Sequence, residues 1–203
     1  MKSHRKVGFC FGGKMKHLHL YFLSDQYYKD FPDPKLMRNK EAVGAQLHRR
    51  PFFFPFKDEK IPDIYWLVPI SSQVDKFKIV AKKKEIKYGH CNTIRFGQVL
   101  GREAAFLIQN MCPVTAPYLL PYMDSNLLPV YIRDDLAEDV IQNAKSVLRL
   151  LEKYPYIVFP AVQEIYIQLS KQLIAQTVIA EAKQEAADRL RSITPDPAEG
   201  RRR

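Results

Sequence analysis

Two serines, a lysine and a pair of arginines are the residues of this chain whose types and spacing best suit chemistry. Ser71 and Ser72 follow directly on the apolar run Ile64–Ile70 (Ile-Tyr-Trp-Leu-Val-Pro-Ile), and Lys76 comes four residues after Ser72. Hydroxyls can hydrogen-bond a phosphate or a reacting alcohol, and an ammonium beside them supplies a point charge. Arg49 and Arg50 stand immediately before a second apolar run, Pro51–Phe56. Guanidinium donors match phosphate oxygens in a planar fork. The same two serines also read as a cap for a short helix over Gln73–Phe77, since Ser so often precedes a helix.

These groups can meet only if the two apolar runs are strands of one hairpin. Ile64–Ile70 is mostly β-branched or aromatic and is closed by Pro69, while His48–Phe56 is an aromatic run behind two arginines. Lys57–Asp63 supplies the turn. Antiparallel pairing then puts Arg49 and Arg50 at the start of one strand and Ser71 and Ser72 at the end of its partner, which is the same end of the sheet.

The rest of the chain supplies the scaffold. His17–Leu23 reads as a strand entering a core, and Ser24 caps a short helix, Asp25–Asp30, that carries Tyr27 and Tyr28. One tyrosine belongs to the core; the other could hold a base or a phosphate. Pro32 and Pro34 stop this helix, and the polar stretch to Leu47 either holds a helix around Lys35–Ala45 or carries function. Lys78–Lys87, with Lys78, Lys82, Lys83 and Lys84, reads as a loop or lysine-protected edge strand, or as a surface that tracks phosphates. Further strands are expected at Thr93–Gly97 and Ala104–Asn110. Asp134 or Asp135 opens a helix with Leu136, Val140, Ala144, Val147, Leu148 and Leu151 at helical spacing. A longer helix runs from Pro160 to about Leu190, with Ile165, Leu169, Leu173, Val178 and Ala182 marking an apolar side, and its polar end could reach another subunit.

Composition narrows the function. With 203 residues, 46% hydrophobic and 12% aromatic, the chain can bury one sizeable core. Residues 15–190 read as that domain, residues 1–14 as an N-terminal extension with the native start at Met15, and residues 191–203 as a disordered tail. No apolar run is long enough to span a membrane and no signal peptide is visible, so a cytoplasmic protein with no membrane partner is expected. Residues 1–102 hold 21 Lys/Arg against 9 Asp/Glu, and residues 103–203 hold 11 against 13. A basic half interleaved with aromatics suits nucleic acid, whose phosphates take the cations and whose unpaired bases stack on rings.

Other sites are poorly supported. Gly8–Lys14 has the spacing of a phosphate loop, but Met15 stands where its Ser/Thr belongs. His17 and His19 could share one strand face, but no third metal ligand follows at a fixed spacing. His90 sits alone in a turn. The three cysteines show no CxxC spacing. Neither a metal nor a cofactor is expected.

Four segments carry a resemblance when taken in order: Tyr21-Phe-Leu-Ser-Asp-Gln-Tyr-Tyr, Arg50-Pro-Phe-Phe, Ile64-Tyr-Trp-Leu-Val-Pro-Ile-Ser-Ser, and Ala104-Ala-Phe-Leu-Ile-Gln-Asn-Met-Cys-Pro-Val. The set, spanning about Met15 to Leu173, resembles the toxins of type III toxin–antitoxin systems, the TenpN branch of the ToxN-like endoribonucleases. The resemblance implies an α+β fold: a compact, highly bent, barrel-like antiparallel sheet surrounded by helices, with a long C-terminal helix. It implies metal-independent RNA cleavage leaving 2′,3′-cyclic phosphate and 5′-hydroxyl ends. It further implies inhibition by a small repeated, pseudoknot-like RNA antitoxin that the toxin processes and joins in a hetero-oligomer.

Carried over position by position, the resemblance assigns catalysis to Arg50, Ser71, Ser72 and Lys76, and RNA binding to Tyr27, Arg49 and Phe77. The basic run adds Lys78, Lys82, Lys83 and Lys84. The sequence departs from the family pattern in having Arg where Lys is common, Ser-Ser for Thr-Ser, and extra residues before Phe77. Two other classes fit the charge: a non-catalytic RNA- or DNA-binding module, and a metal-dependent nuclease built on His17 and His19.

Overall fold

A computed structural model describes residues 18–38 and 50–193. The expectations for the N-terminal extension, most of Lys35–Ala45, Arg49 and the tail beyond 193 lie outside these residues. Seven strands form one antiparallel sheet: β1 (Leu20–Leu23), β2 (Pro51–Lys57), β3 (Ile64–Ser71), β4 (Ile94–Val99), β5 (Arg102–Leu107), β6 (Cys112–Thr115) and β7 (Leu119–Pro121). Four helices surround it: α1 (Asp25–Asp30), α2 (Val74–Tyr88), α3 (Asp134–Leu151) and α4 (Val162–Ile193). The strand order is β4-β5-β3-β2-β1-β7, with β6 beside β3. β4 and β7 are the ends of this order and do not pair with each other. The fold is therefore α+β as expected, but the sheet is open where a barrel-like closure was expected.

β3 is the centre, and all eight of its residues are buried. Its partner on one side changes halfway, from β6 against Ile64–Leu67 to β5 against Ile70 and Ser71. The pairs Leu67↔Cys112 and Ile70↔Phe106 differ in register by three residues, the length of the 3-10 turn Ile108–Asn110 between β5 and β6. Pro69, which has no N–H to place in a ladder, falls in the gap.

The aromatic run of β2 fills two cores because its alternation is reset midway. Phe53 pairs with Val68 and Phe56 with Trp66, so one extra residue is bulged between them. Phe52 and Phe54 consequently face the layer of α1 and the first turns of α4, while Phe53 and Phe56 face α3. Each buried ring contributes roughly 1.5–3 kcal/mol.

Lys78–Lys87 is helical, not a loop or edge strand. Phe77, Val80 and Ala81 make a single narrow stripe that packs on Cys91, Ile94, Ala105 and Leu107. The lysines around that stripe conceal its period in the sequence. Gly89, in the left-handed region at φ 78°, ends the helix and accepts no side-chain penalty there. In α3 the expected positions Val140, Ala144, Val147 and Leu151 are buried, while Leu136 and Leu148 are partly buried against the same core. α4 buries Ile165 and Leu169 and packs Leu173 on the core, whereas Val178 and Ala182 of its expected apolar side are exposed.

Candidate active site

The β2–β3 pairing brings Arg50 and the two serines to one end of the sheet. Phe52 stands opposite Pro69, so Arg50, two residues earlier, reaches the end of β3. There its Nη1 donates to the Ile70 carbonyl at 3.1 Å and its Nε to the Arg38 carbonyl at 3.3 Å. Burial pulls the Arg50 pKa below its ordinary value, with nearby Tyr28 acting in the opposite sense. The guanidinium is thus oriented by two carbonyls.

Ser71 and Ser72 diverge, as consecutive residues leaving a strand do. Ser71 is 5% exposed and its Oγ accepts the Gln73 N–H at 3.2 Å. It turns the strand into α2, whose N-cap residue is Gln73. Neither serine caps α2 as the sequence suggested: Ser71 bonds the N–H of the N-cap residue, and no side chain caps the first helical turn. Ser72 is exposed and lines a cleft of about 480 Å³ together with Arg50, Pro51, Ile70, Arg102, Glu103 and Tyr122.

Three of these cleft residues escaped the sequence reading. Arg102 and Glu103 begin β5, and the pair Val99↔Arg102 closes a two-residue hairpin loop, Leu100-Gly101. Both loop residues have positive φ, 49° and 74°, the pattern of a type I′ turn. Glu103 is held by Lys78 of α2 through an ion pair at 2.9 Å. Tyr122 follows β7, and its ring lies 4.6 Å from that of Phe22 on β1. Gly101 followed by Arg102 between two strand patterns was the available signal, but only the β5–β3 pairing turns it toward Ser72.

The remaining candidates divide between surface and interior. Tyr27 is fully buried and donates to the Pro113 carbonyl at 2.7 Å; burial drives its phenol pKa well up. This tyrosine belongs to the core, and Tyr28 is the one beside Arg50. The Tyr28 hydroxyl donates to the Met37 carbonyl at 3.2 Å, and burial raises its pKa while the Arg50 charge lowers it. Lys76 is exposed on the first turn of α2, its ammonium 5.8 Å from the Phe77 ring centre. Phe77 itself is half-buried against the α2 core.

Lys78 is paired with Glu103, Lys82 with Glu85 at 3.5 Å, and Lys83 is exposed. Lys84 turns inward, donating to Thr93 Oγ1 at 2.7 Å and Gln109 Oε1 at 2.6 Å. Burial lowers its pKa. It fastens α2 to the 3-10 turn and is not presented to solvent phosphates. Arg49 and His17 lie outside the described residues; His19 is half-buried and His90 exposed. Among the described residues no three His, Cys, Asp or Glu side chains are grouped to hold a metal ion, and no helix is long and apolar enough to cross a membrane.

No protein-family model matches this chain, and no curated protein matches its sequence. Solved structures do align with it. One, from a bacterial antiviral system regulated by a processed non-coding RNA, is 12% identical over 66% of this chain and 86% of its own, with a TM-score of 0.44. Another is AbiQ, a lactococcal anti-phage endoribonuclease belonging to the type III toxin–antitoxin system. It is 16% identical, covered over 99% of its length by 77% of this chain, with a TM-score of 0.53. The likeness is one of fold: with its central β3 and long C-terminal helix, the chain has the fold of AbiQ.

Proposed function

We propose that this protein is a toxin of the type III toxin–antitoxin kind, a metal-independent endoribonuclease that cleaves RNA by attack of the RNA's own 2′-hydroxyl. The observation that carries the proposal is the convergence of Arg50, Arg102 and the exposed hydroxyl of Ser72 on one cleft at the end of the sheet. In such a reaction the 2′-oxygen forms a bond to phosphorus as the bond to the 5′-oxygen breaks. The protein supplies no nucleophile; it aligns sugar and phosphate, neutralises the non-bridging oxygens and moves two protons.

Arg50, oriented by the Ile70 and Arg38 carbonyls, takes the phosphate oxygens. Ser72 hydrogen-bonds the reacting group, while Ser71 holds the backbone turn that presents it. Glu103, a carboxylate lining the cleft, is our assignment for the group that accepts the 2′-hydroxyl proton. Lys76, at the exposed start of α2, adds charge to the approach. AbiQ's own activity and system agree with this reading. We extend it to a repeated RNA antitoxin that occupies the same basic half and assembles with the protein in the cytoplasm.

The test is incubation of purified protein with mixed RNA in EDTA and analysis of the new ends. Cyclic phosphate and 5′-hydroxyl ends, lost in Ser72→Ala, are expected. RNA retained intact would favour the non-catalytic binding module, and cleavage only on restoring a divalent metal would overturn metal independence.

A further inference from the structure

Leu100 occupies a backbone position that suits glycine or asparagine, and its side chain gains little from the fold. Its φ is 49°, in the left-handed region where a branched side chain is disfavoured, and it is 58% exposed. Costs of this kind concentrate at ligand-contacting sites. Three leucines among the described residues have positive φ. Leu18 packs on the core, and Leu127 lies in the turn after Asp124. Leu100 alone of the three lines the cleft that holds Arg50 and Ser72.

The residues around it match in chemistry. Arg102, two positions on, is exposed and has no carboxylate partner among the described residues, because neighbouring Glu103 is taken by Lys78. Tyr122, its ring set against Phe22, supplies an aromatic wall. A flat apolar contact, an aromatic face and an unpaired guanidinium are the groups that hold one base and its phosphate. At about 480 Å³ the cleft has the size of a small-ligand site, with room for a nucleotide and none for a double helix.

We propose that the β4–β5 hairpin tip is a nucleotide-recognition element: Leu100 and Tyr122 hold an unpaired base beside the scissile phosphate, and Arg102 clasps the adjoining phosphate. This deepens, and rests on, the ribonuclease reading of the same cleft.

The experiment compares wild type, Leu100→Gly and Arg102→Ala by cleavage of an unpaired RNA oligonucleotide, by binding of its all-2′-deoxy counterpart, which has no nucleophile, and by Tm. For Leu100→Gly, kcat/KM and deoxy-oligonucleotide affinity fall roughly tenfold while Tm holds or rises, since glycine relieves the turn. For Arg102→Ala, affinity falls and the slope of log affinity against log salt shrinks by about 0.7, one phosphate contact on a single strand. A Leu100→Gly protein of equal or higher Tm that cleaves and binds like wild type overturns the proposal. So does equal loss on the same sequence annealed into a duplex, or wild type that fails to bind the oligonucleotide. Wild type that binds but never cleaves RNA sinks the ribonuclease reading instead, and the binding comparison then decides the hairpin's role.

Discussion

Ser71→Ala and Ser72→Ala should fail in opposite ways although the two residues are adjacent. Ser71 is buried, and its Oγ is the acceptor for the Gln73 N–H at 3.2 Å. Removing that acceptor costs about 0.5–1.5 kcal/mol. For a chain of this size, that is a fall in Tm of roughly 2–4 °C per kcal/mol. Turnover should drop only as far as the turn loosens. Ser72 is exposed on the cleft, so its loss should leave stability within about 0.5 kcal/mol of wild type. If its hydroxyl bonds the charge that develops in transesterification, cleavage falls roughly 10²- to 10³-fold. Thermal denaturation and single-turnover cleavage of end-labelled RNA in EDTA measure both quantities. A Ser72→Ala protein that cleaves at the wild-type rate refutes the assignment. So does a Ser71→Ala protein with unchanged Tm and the larger loss of activity.

Other expectations follow from the same geometry. Lys84→Ala should lower Tm, because its bonds to Thr93 and Gln109 are lost, and should leave the salt dependence of RNA binding unchanged; Lys83→Ala should do the reverse. Glu103→Gln should bind the deoxy-oligonucleotide and fail to cleave RNA, a split read by comparing the two assays. At Asp58 burial favours the neutral acid, but hydrogen bonds from Trp66, Ile61, Tyr166 and Lys60 together outweigh it and hold the pKa below the ordinary value. That group therefore adds stability above about pH 4, lost as pH falls through the lowered native pKa. Urea denaturation of Asp58→Asn from pH 6 to 3 should show a shallower decline than wild type. Deleting residues 178–203 should move Tm by no more than about 2 °C, since Leu173 packs on the core whereas Val178 and Ala182 are exposed.

Elements with a wide apolar signature were legible before folding was considered. The strand at Ile64 and the stripe of Val140, Ala144 and Val147 stand where their periods placed them. α2 was misread because its apolar stripe is only Phe77, Val80 and Ala81, and Lys78, Lys82, Lys83 and Lys84 around it mask the period. The choice between Tyr27 and Tyr28 was open for a different reason. On a six-residue helix both can face a neighbour, and which one enters the core depends on where Pro113 of β6 arrives.

The same division holds for the site. That Arg50 and the Ser71-Ser72 pair share one end of a sheet follows from the chain itself, because a hairpin is local and antiparallel pairing has one geometry. Which serine faces the cleft, that Lys84 points inward, and that Arg102, Glu103 and Tyr122 join the site were decided only by tertiary contacts. Those contacts are the β5–β3 register, the three-residue turn that shifts β6 against it, and the packing of Tyr122 on Phe22. They join residues thirty to one hundred positions apart, and no local period or propensity encodes such distances.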